Sequence, residues 1–151
     1  MRLSARGQYG VRAVVELAQS YPQGALALDR IARVQRIPPA YLERILAALR
    51  RAGLVVSTRG AHGGYCLARP PQEITVGQVV RALDGPIAPV ACASEAGSAP
   101  CDQAQGCPAR LAWLRLRDGI AAALDATTIA DLLGGADEPL ERGRETQGVR
   151  S

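Results

Sequence analysis

Residues 28–68 read LDRIARVQRIPPAYLERILAALRRAGLVVSTRGAHGGYCLA, from Leu28 to Ala68, and this stretch decides the fold. Leu28, Ile31 and Ala32 recur at helical spacing and predict a short helix over 28–35. The turn Arg36-Ile37-Pro38 leads to a second helix opening near Pro39, where proline costs nothing because a first-turn amide has no intrahelical partner. Leu42, Ile45, Leu46 and Leu49 give that helix one buried stripe, and Gly53 stops it. Two helices joined by so short a turn form a helix-turn-helix. Leu54–Thr58, a Gly-rich turn and Tyr65–Ala68 then read as a hairpin, which makes the unit a winged helix.

Outward from that core, Ser4 caps a helix predicted to run to Tyr21, with Tyr9, Ala13, Val14, Leu17 and Ala18 on its buried stripe. Thr75 caps another, ending at Leu83 before Gly85-Pro86. Residues 86–108 read as an irregular loop. Pro108 opens a long helix to Leu124, and Thr127 or Thr128 caps a last one over 129–133. From Gly134 onward, glycine and charge without apolar periodicity predict a disordered tail. The expected fold class is mainly α with a minor β part: a winged helix-turn-helix with a long C-terminal dimerisation helix. The expected organisation is a DNA-binding domain over 1–85, a cysteine loop over 86–107, dimerisation and C-terminal helices over 108–133, and a tail over 134–151.

The long helix carries two apolar sets, Trp113/Leu116/Ile120/Ala123 and Leu111/Leu114/Ala121/Leu124. One packs on its own domain and the other on a twin helix, which predicts a homodimer; the alternative is a fully buried helix in a monomer.

The net charge of +4 over 151 residues hides a split. Residues 1–70 hold 11 Arg against three acids, a net of +8, whereas residues 71–151 net −4. A basic half of this size suits a polyanion. All 18 basic residues are Arg, whose planar fork fits phosphate and guanine edges, although a genome-wide bias explains the choice equally. No apolar run reaches membrane-spanning length, and the N-terminus lacks a signal-peptide core, so a cytoplasmic, thiol-reducing setting is expected. One His, no phosphate-binding Gly-Lys-Ser/Thr loop and no Ser/His/Asp set argue against an enzyme.

Off the apolar stripe of the 39–51 helix stand Tyr41, Glu43, Arg44, Arg50 and Arg51. As a recognition helix it would enter the major groove, Glu43 accepting from a cytosine amino group and Arg44 reaching guanine or phosphate. An isolated helix with these charges would be a solvated face; the preceding turn, the hairpin and the basic half favour double-stranded DNA. In the hairpin, Arg59 is placed for the minor groove, while Gly60, His62 and Gly63 sit at the tip beside phosphate. A plain turn needing glycine is the alternative.

Cys92-x8-Cys101-x5-Cys107 places three thiols in one loop. Thiolates bind soft or borderline metals, and iron–sulfur clusters are held mainly by Cys. Zinc competes without its usual CxxC pair, and a thiol redox switch is the other reading. Cys66 alternates into the second hairpin strand as a small buried hydrophobe.

Met1-Arg2-Leu3-Ser4 with Gly7 and Tyr9, Tyr41-Leu42-Glu43, Gly53-Leu54-Val55, Arg59-Gly60 with Gly63-Gly64-Tyr65, the three cysteines and Trp113 together resemble the Rrf2 family of winged-helix regulators, close to its IscR branch. The resemblance covers residues 1–133. It implies a homodimeric transcription regulator, repressor or activator, on a pseudo-palindromic operator. A 2Fe–2S or 4Fe–4S cluster on Cys92, Cys101 and Cys107 would tune DNA affinity in response to Fe–S status, iron, nitric oxide or redox stress. The chain departs from the pattern at Arg110, where the IscR branch has a His, and at Gln8, where the nitric-oxide-sensing branch has an Asp. The fourth ligand is therefore open. Arg36, Pro38 and Ala40 replace a glycine and two hydroxyl residues common in the turn. The competing functions are a thiol-switch DNA-binding regulator without a cluster, and an Fe–S electron-transfer or delivery protein, which has no use for a +8 half.

Overall fold

A computed structural model describes residues 2–97 and 106–134. Its elements follow the order α1 (Ala5–Gln19), α2 (Leu28–Gln35), α3 (Pro39–Arg51), β1 (Val55–Thr58), β2 (Gly64–Leu67), α4 (Val76–Asp84), α5 (Arg110–Ala126) and α6 (Ile129–Gly134). The winged helix-turn-helix expected from residues 28–68 is present.

Local chemistry sets most element ends. The Ser4 hydroxyl accepts from the Gly7 amide and starts α1. This helix stops at Gln19, two residues before the expected end, where Ser20 and Tyr21 donate back into the last turn. Thr75 and Gln78 form a reciprocal capping box on α4, and Thr128 with Asp131 does the same for α6. Helix α5 begins at Arg110 rather than Pro108, after a turn that Cys107 closes by accepting from the Arg110 amide.

Between α2 and α3 the chain reverses through a Schellman motif. The Ile37 amide donates to Ala32 and the Arg36 amide to Arg33, which satisfies carbonyls the helix end would otherwise strand. Arg36 sits in the left-handed region at φ 55° and ψ 47°. That conformation favours glycine, so an Arg here carries local strain. Ile37, the next residue, is buried and closes the turn against the core.

One core unites these elements. Val14 and Leu17 of α1, Ile31 of α2, Leu42, Ile45, Leu46 and Leu49 of α3, Val55 of β1, and Val79 of α4 are fully buried. Each removes apolar surface worth roughly 1.5–3 kcal/mol from water. Ile129 of α6 is also fully buried there. The chain therefore returns from α5 to the winged-helix body, and backbone bonds from Val76 to Thr127 and from Ile129 to Ile74 fasten it.

The hairpin pairs Val55 with Leu67 and Val56 with Cys66. Val55 and Leu67 face the core, so strand alternation turns Val56 and Cys66 the other way. Cys66 is accordingly half-buried, not the buried hydrophobe expected. A third segment joins the wing: Leu26 and Tyr65 exchange both backbone bonds, at 2.9 and 2.8 Å. Gly64 makes this possible, since any Cβ there would collide with the Leu26 carbonyl, and its φ is +153°.

Candidate nucleic-acid interface and cysteine segment

Helix α3 buries one stripe and leaves Glu43, Arg44, Arg50 and Arg51 exposed on the other side. Arg50 reaches back to the Ser57 hydroxyl at 3.1 Å, which ties the helix to the first strand of the wing. Tyr41, expected on the outer face, is instead half-buried. Its ring packs edge-on against Tyr9 at 5.7 Å, so the contact joins α3 to α1. Arg59, Gly60 and His62 are exposed at the wing tip, and Gly63 is half-buried within the turn.

A polar chain behind this face was not legible in the sequence. The Arg12 guanidinium lies over the Tyr9 ring at 5.5 Å and donates to the side chain and the backbone carbonyl of Gln35. Gln35 in turn donates to Glu16 at 3.0 Å, and Glu16 is buried. The chain fixes the end of α2 to α1 just where the turn to the recognition helix begins. The i,i+4 spacing of Arg12 and Glu16 was visible, but their shared partner on another helix was not. Arg30 and Arg33 of α2, with Arg36 of the turn, are exposed too and extend the basic surface.

Cys92 lies in a short 3-10 turn, Ala91–Ala93, which packs against α5. Cys107 precedes α5, and both cysteines are half-buried. Cys101 lies outside the described residues, as does the tail expected beyond Gly134. Among the described residues no three His, Cys, Asp or Glu side chains are grouped to hold a metal. The donor chemistry still suits a thiophilic centre: two sheltered sulfurs bracket the segment that carries the third.

The cysteine segment is fastened by charge. Arg81 of α4 forks onto Glu95 through Nε and Nη2, at 2.9 and 2.7 Å. It forks again onto Asp125 of α5, at 2.6 and 3.0 Å. Glu95 also accepts from the Ile87 amide at 2.8 Å. Hydrogen bonds from Arg81, then from the Ile87 amide, hold the Glu95 carboxyl down at about 2. The same guanidinium lowers Asp125, and the Arg81 pKa is raised by Glu95 first and Asp125 second.

Helix α5 buries none of its residues completely. Ile120 and Leu124 turn toward α4 and line a pocket with Leu3, Val80 and Ile87. Ile120 shares a helical face with Trp113 and Leu116, but at its level that face turns toward α4, so the stripe is not outward along its whole length. Of the large apolar side chains of α5, Leu111, Trp113 and Leu116 are exposed. No helix of the described residues is long and apolar enough to cross a membrane.

Comparison with known proteins places these features. The sequence model of the Rrf2 family, described as an iron-dependent transcriptional regulator, matches residues 3–135. The HTH-type transcriptional regulator CymR of Bacillus subtilis is 39% identical over 137 residues, covering 91% of this chain and 93% of that protein. The solved structure of T. potens IscR superposes with a TM-score of 0.74 at 36% identity, over 100% of this chain and 94% of that one. Staphylococcus aureus CymR in its oxidized form gives a TM-score of 0.72 at 33% identity, over 89% and 97% of the two chains.

Proposed function

The chain belongs to the Rrf2 family of DNA-binding transcriptional regulators, and from that premise we propose that it is a homodimeric sensor whose cysteine segment, residues 86–107, controls a winged-helix reader, residues 1–85. The observation that carries the reading is the joining of the two parts. The segment with Cys92 packs on α5 and is forked to α4, whose helix packs on α1 and α3 of the reader.

In this reading α3 enters the major groove with Glu43 and Arg44 at base edges, while Arg50 and Arg51 approach phosphate. Arg59 enters the minor groove beside Gly60, His62 and Gly63. The positive charge of the N-terminal half supports general affinity, and Glu43, an acid facing a polyanion, is useful there only as a selector. The exposed Trp113 and Leu116, which share a helical face, support a twin α5 as the dimer contact.

Cys92, Cys101 and Cys107 would hold an iron–sulfur cluster, which when bound supplies a centre sensitive to iron, oxidants or nitric oxide. Arg110 stands where the IscR branch has a ligand and cannot serve as one, which leaves the fourth position to another donor. The test is an anaerobic absorption spectrum of freshly purified protein with iron and sulfide assays. A brown protein that loses both iron and sulfide on Cys101→Ala is expected; colourless protein with stoichiometric zinc would refute the cluster. The second reading, a thiol switch without a cluster, is favoured by the likeness to a CymR solved in an oxidized form. Metal-free protein whose DNA affinity changes reversibly with oxidant would establish it.

A further inference from the structure

We propose that Arg81 is the positioning residue that couples the cysteine segment to the DNA reader, by clamping that segment and α5 onto α4 with one guanidinium. The inference rests on the sensor reading of the cysteine segment.

Four hydrogen bonds leave this side chain, two to Glu95 and two to Asp125, so two edges of the guanidinium are filled by carboxylates. Glu95 follows Cys92 by three residues and closes its loop twice: the Glu95 carboxylate accepts from the Ile87 amide, and the Glu95 amide donates to the Ile87 carbonyl at 3.0 Å. Asp125 stands in the last turn of α5. A movement of the cysteine loop therefore pulls on Glu95, and through Arg81 on both helices.

The side chains of Arg81, Glu95 and Asp125 keep 30%, 26% and 47% exposure, so these pairs add little net stability. What the double fork supplies is orientation. Two carboxylates converge on one site and repel each other once the cation between them is removed.

A second feature is built around the same pair. A Cβ at Gly77, one turn before Arg81 on α4, would strike the Asp125 carboxylate and lie 2.8 Å from the Arg81 guanidinium. The absence of a side chain at Gly77 makes room for the Asp125 arm. Gly77→Ala therefore disturbs the clamp with every charge retained.

The experiment uses full-length protein carrying Cys66→Ser, so that reagents act on the segment cysteines and not on the wing. Fluorescence anisotropy gives the affinity for a duplex that the unsubstituted protein selects from a random library, before and after hydrogen peroxide. The parent should change affinity by about tenfold or more, while Arg81→Met, Arg81→Lys and Gly77→Ala should each reduce the change to about twofold or less. All three should retain the thiol titre, or iron and sulfide, of the parent. Hydrogen exchange of the Ile87 and Glu95 amides should quicken by about tenfold in Arg81→Met. A parent insensitive to peroxide would overturn the oxidant-sensing form of that reading, leaving the exchange result to decide the clamp. Unchanged exchange at both amides overturns the inference. So does a peroxide response that survives in Gly77→Ala or Arg81→Lys. If Arg81→Met does not fold, those two variants decide the matter.

Discussion

Replacing Arg36 with glycine should leave the protein about as stable as it is, and more stable than replacing it with alanine, against the usual order of these two residues next to a helix. The residue occupies the left-handed position of the Schellman motif after α2, at φ 55°, where every residue with a Cβ is strained. That strain costs about 1–2 kcal/mol, and glycine removes it while losing roughly 0.5–1 kcal/mol through the greater freedom of the unfolded chain. Arg36 also places a positive charge near the C-terminus of α2, worth about 0.3–1 kcal/mol against the helix dipole. Arg36→Ala isolates that charge, because it deletes the guanidinium and keeps the strained backbone. The difference between Arg36→Gly and Arg36→Ala should therefore be about 1 kcal/mol in favour of glycine. Two-state urea unfolding measures this directly, and differential scanning calorimetry should show the glycine variant melting about 2–5 °C above the alanine variant. Affinity for DNA should fall equally in both variants, since both lose one exposed cation from the basic half. Equal stability of the two variants would falsify the argument, and a glycine variant less stable than alanine would mean that the turn does not hold a left-handed residue.

Gly64→Ala should destabilise the protein by about 2–3 kcal/mol and open the wing to protease, because the new Cβ meets the Leu26 backbone; native resistance would refute the three-segment wing. Leu116→Glu should turn the dimer into a monomer by light scattering at micromolar concentration while circular dichroism is retained, whereas an intact dimer would move the interface elsewhere. Arg59→Ala should lower the salt slope of DNA binding by about 1, while Glu43→Ala should widen the range of bound operators without loss of general affinity. An unchanged ranking of operator variants would make Glu43 structural. The Glu95 carboxyl is held at about 2 against an ordinary 4.5, so its anchoring of the loop persists below pH 4.5 and is lost as pH falls through about 2. A carboxyl titration by NMR should show this low midpoint, and a value near 4.5 would remove the fork in solution.

The sequence by itself determined the elements whose causes are local. Ser4 and Thr75 cap the helices they were read to cap, and the leucines and isoleucines of α3 bury the stripe their spacing predicts. The basic half, the cysteine spacing and the wing glycines also lie along the chain in plain view. Capping and amphipathic periodicity act over a few residues, which is why they can be read without the fold.

Tertiary structure alone decided which distant residues meet. The Tyr41 ring was read as part of an exposed face, yet α1 comes within reach of it and supplies Tyr9. Cys66 was assigned to the interior; the pairing register turned it outward with Val56. The face of α5 that carries Trp113 and Leu116 is exposed near the start of the helix, whereas at Ile120 the same face meets α4 and the N-terminal segment. Arg81, Glu95 and Asp125 carry no shared pattern, being 14 and 44 positions apart. Only the packing of α4 against α5 and the cysteine segment puts one guanidinium between two carboxylates, since long-range partners are chosen by how layers stack and not by any period along the chain.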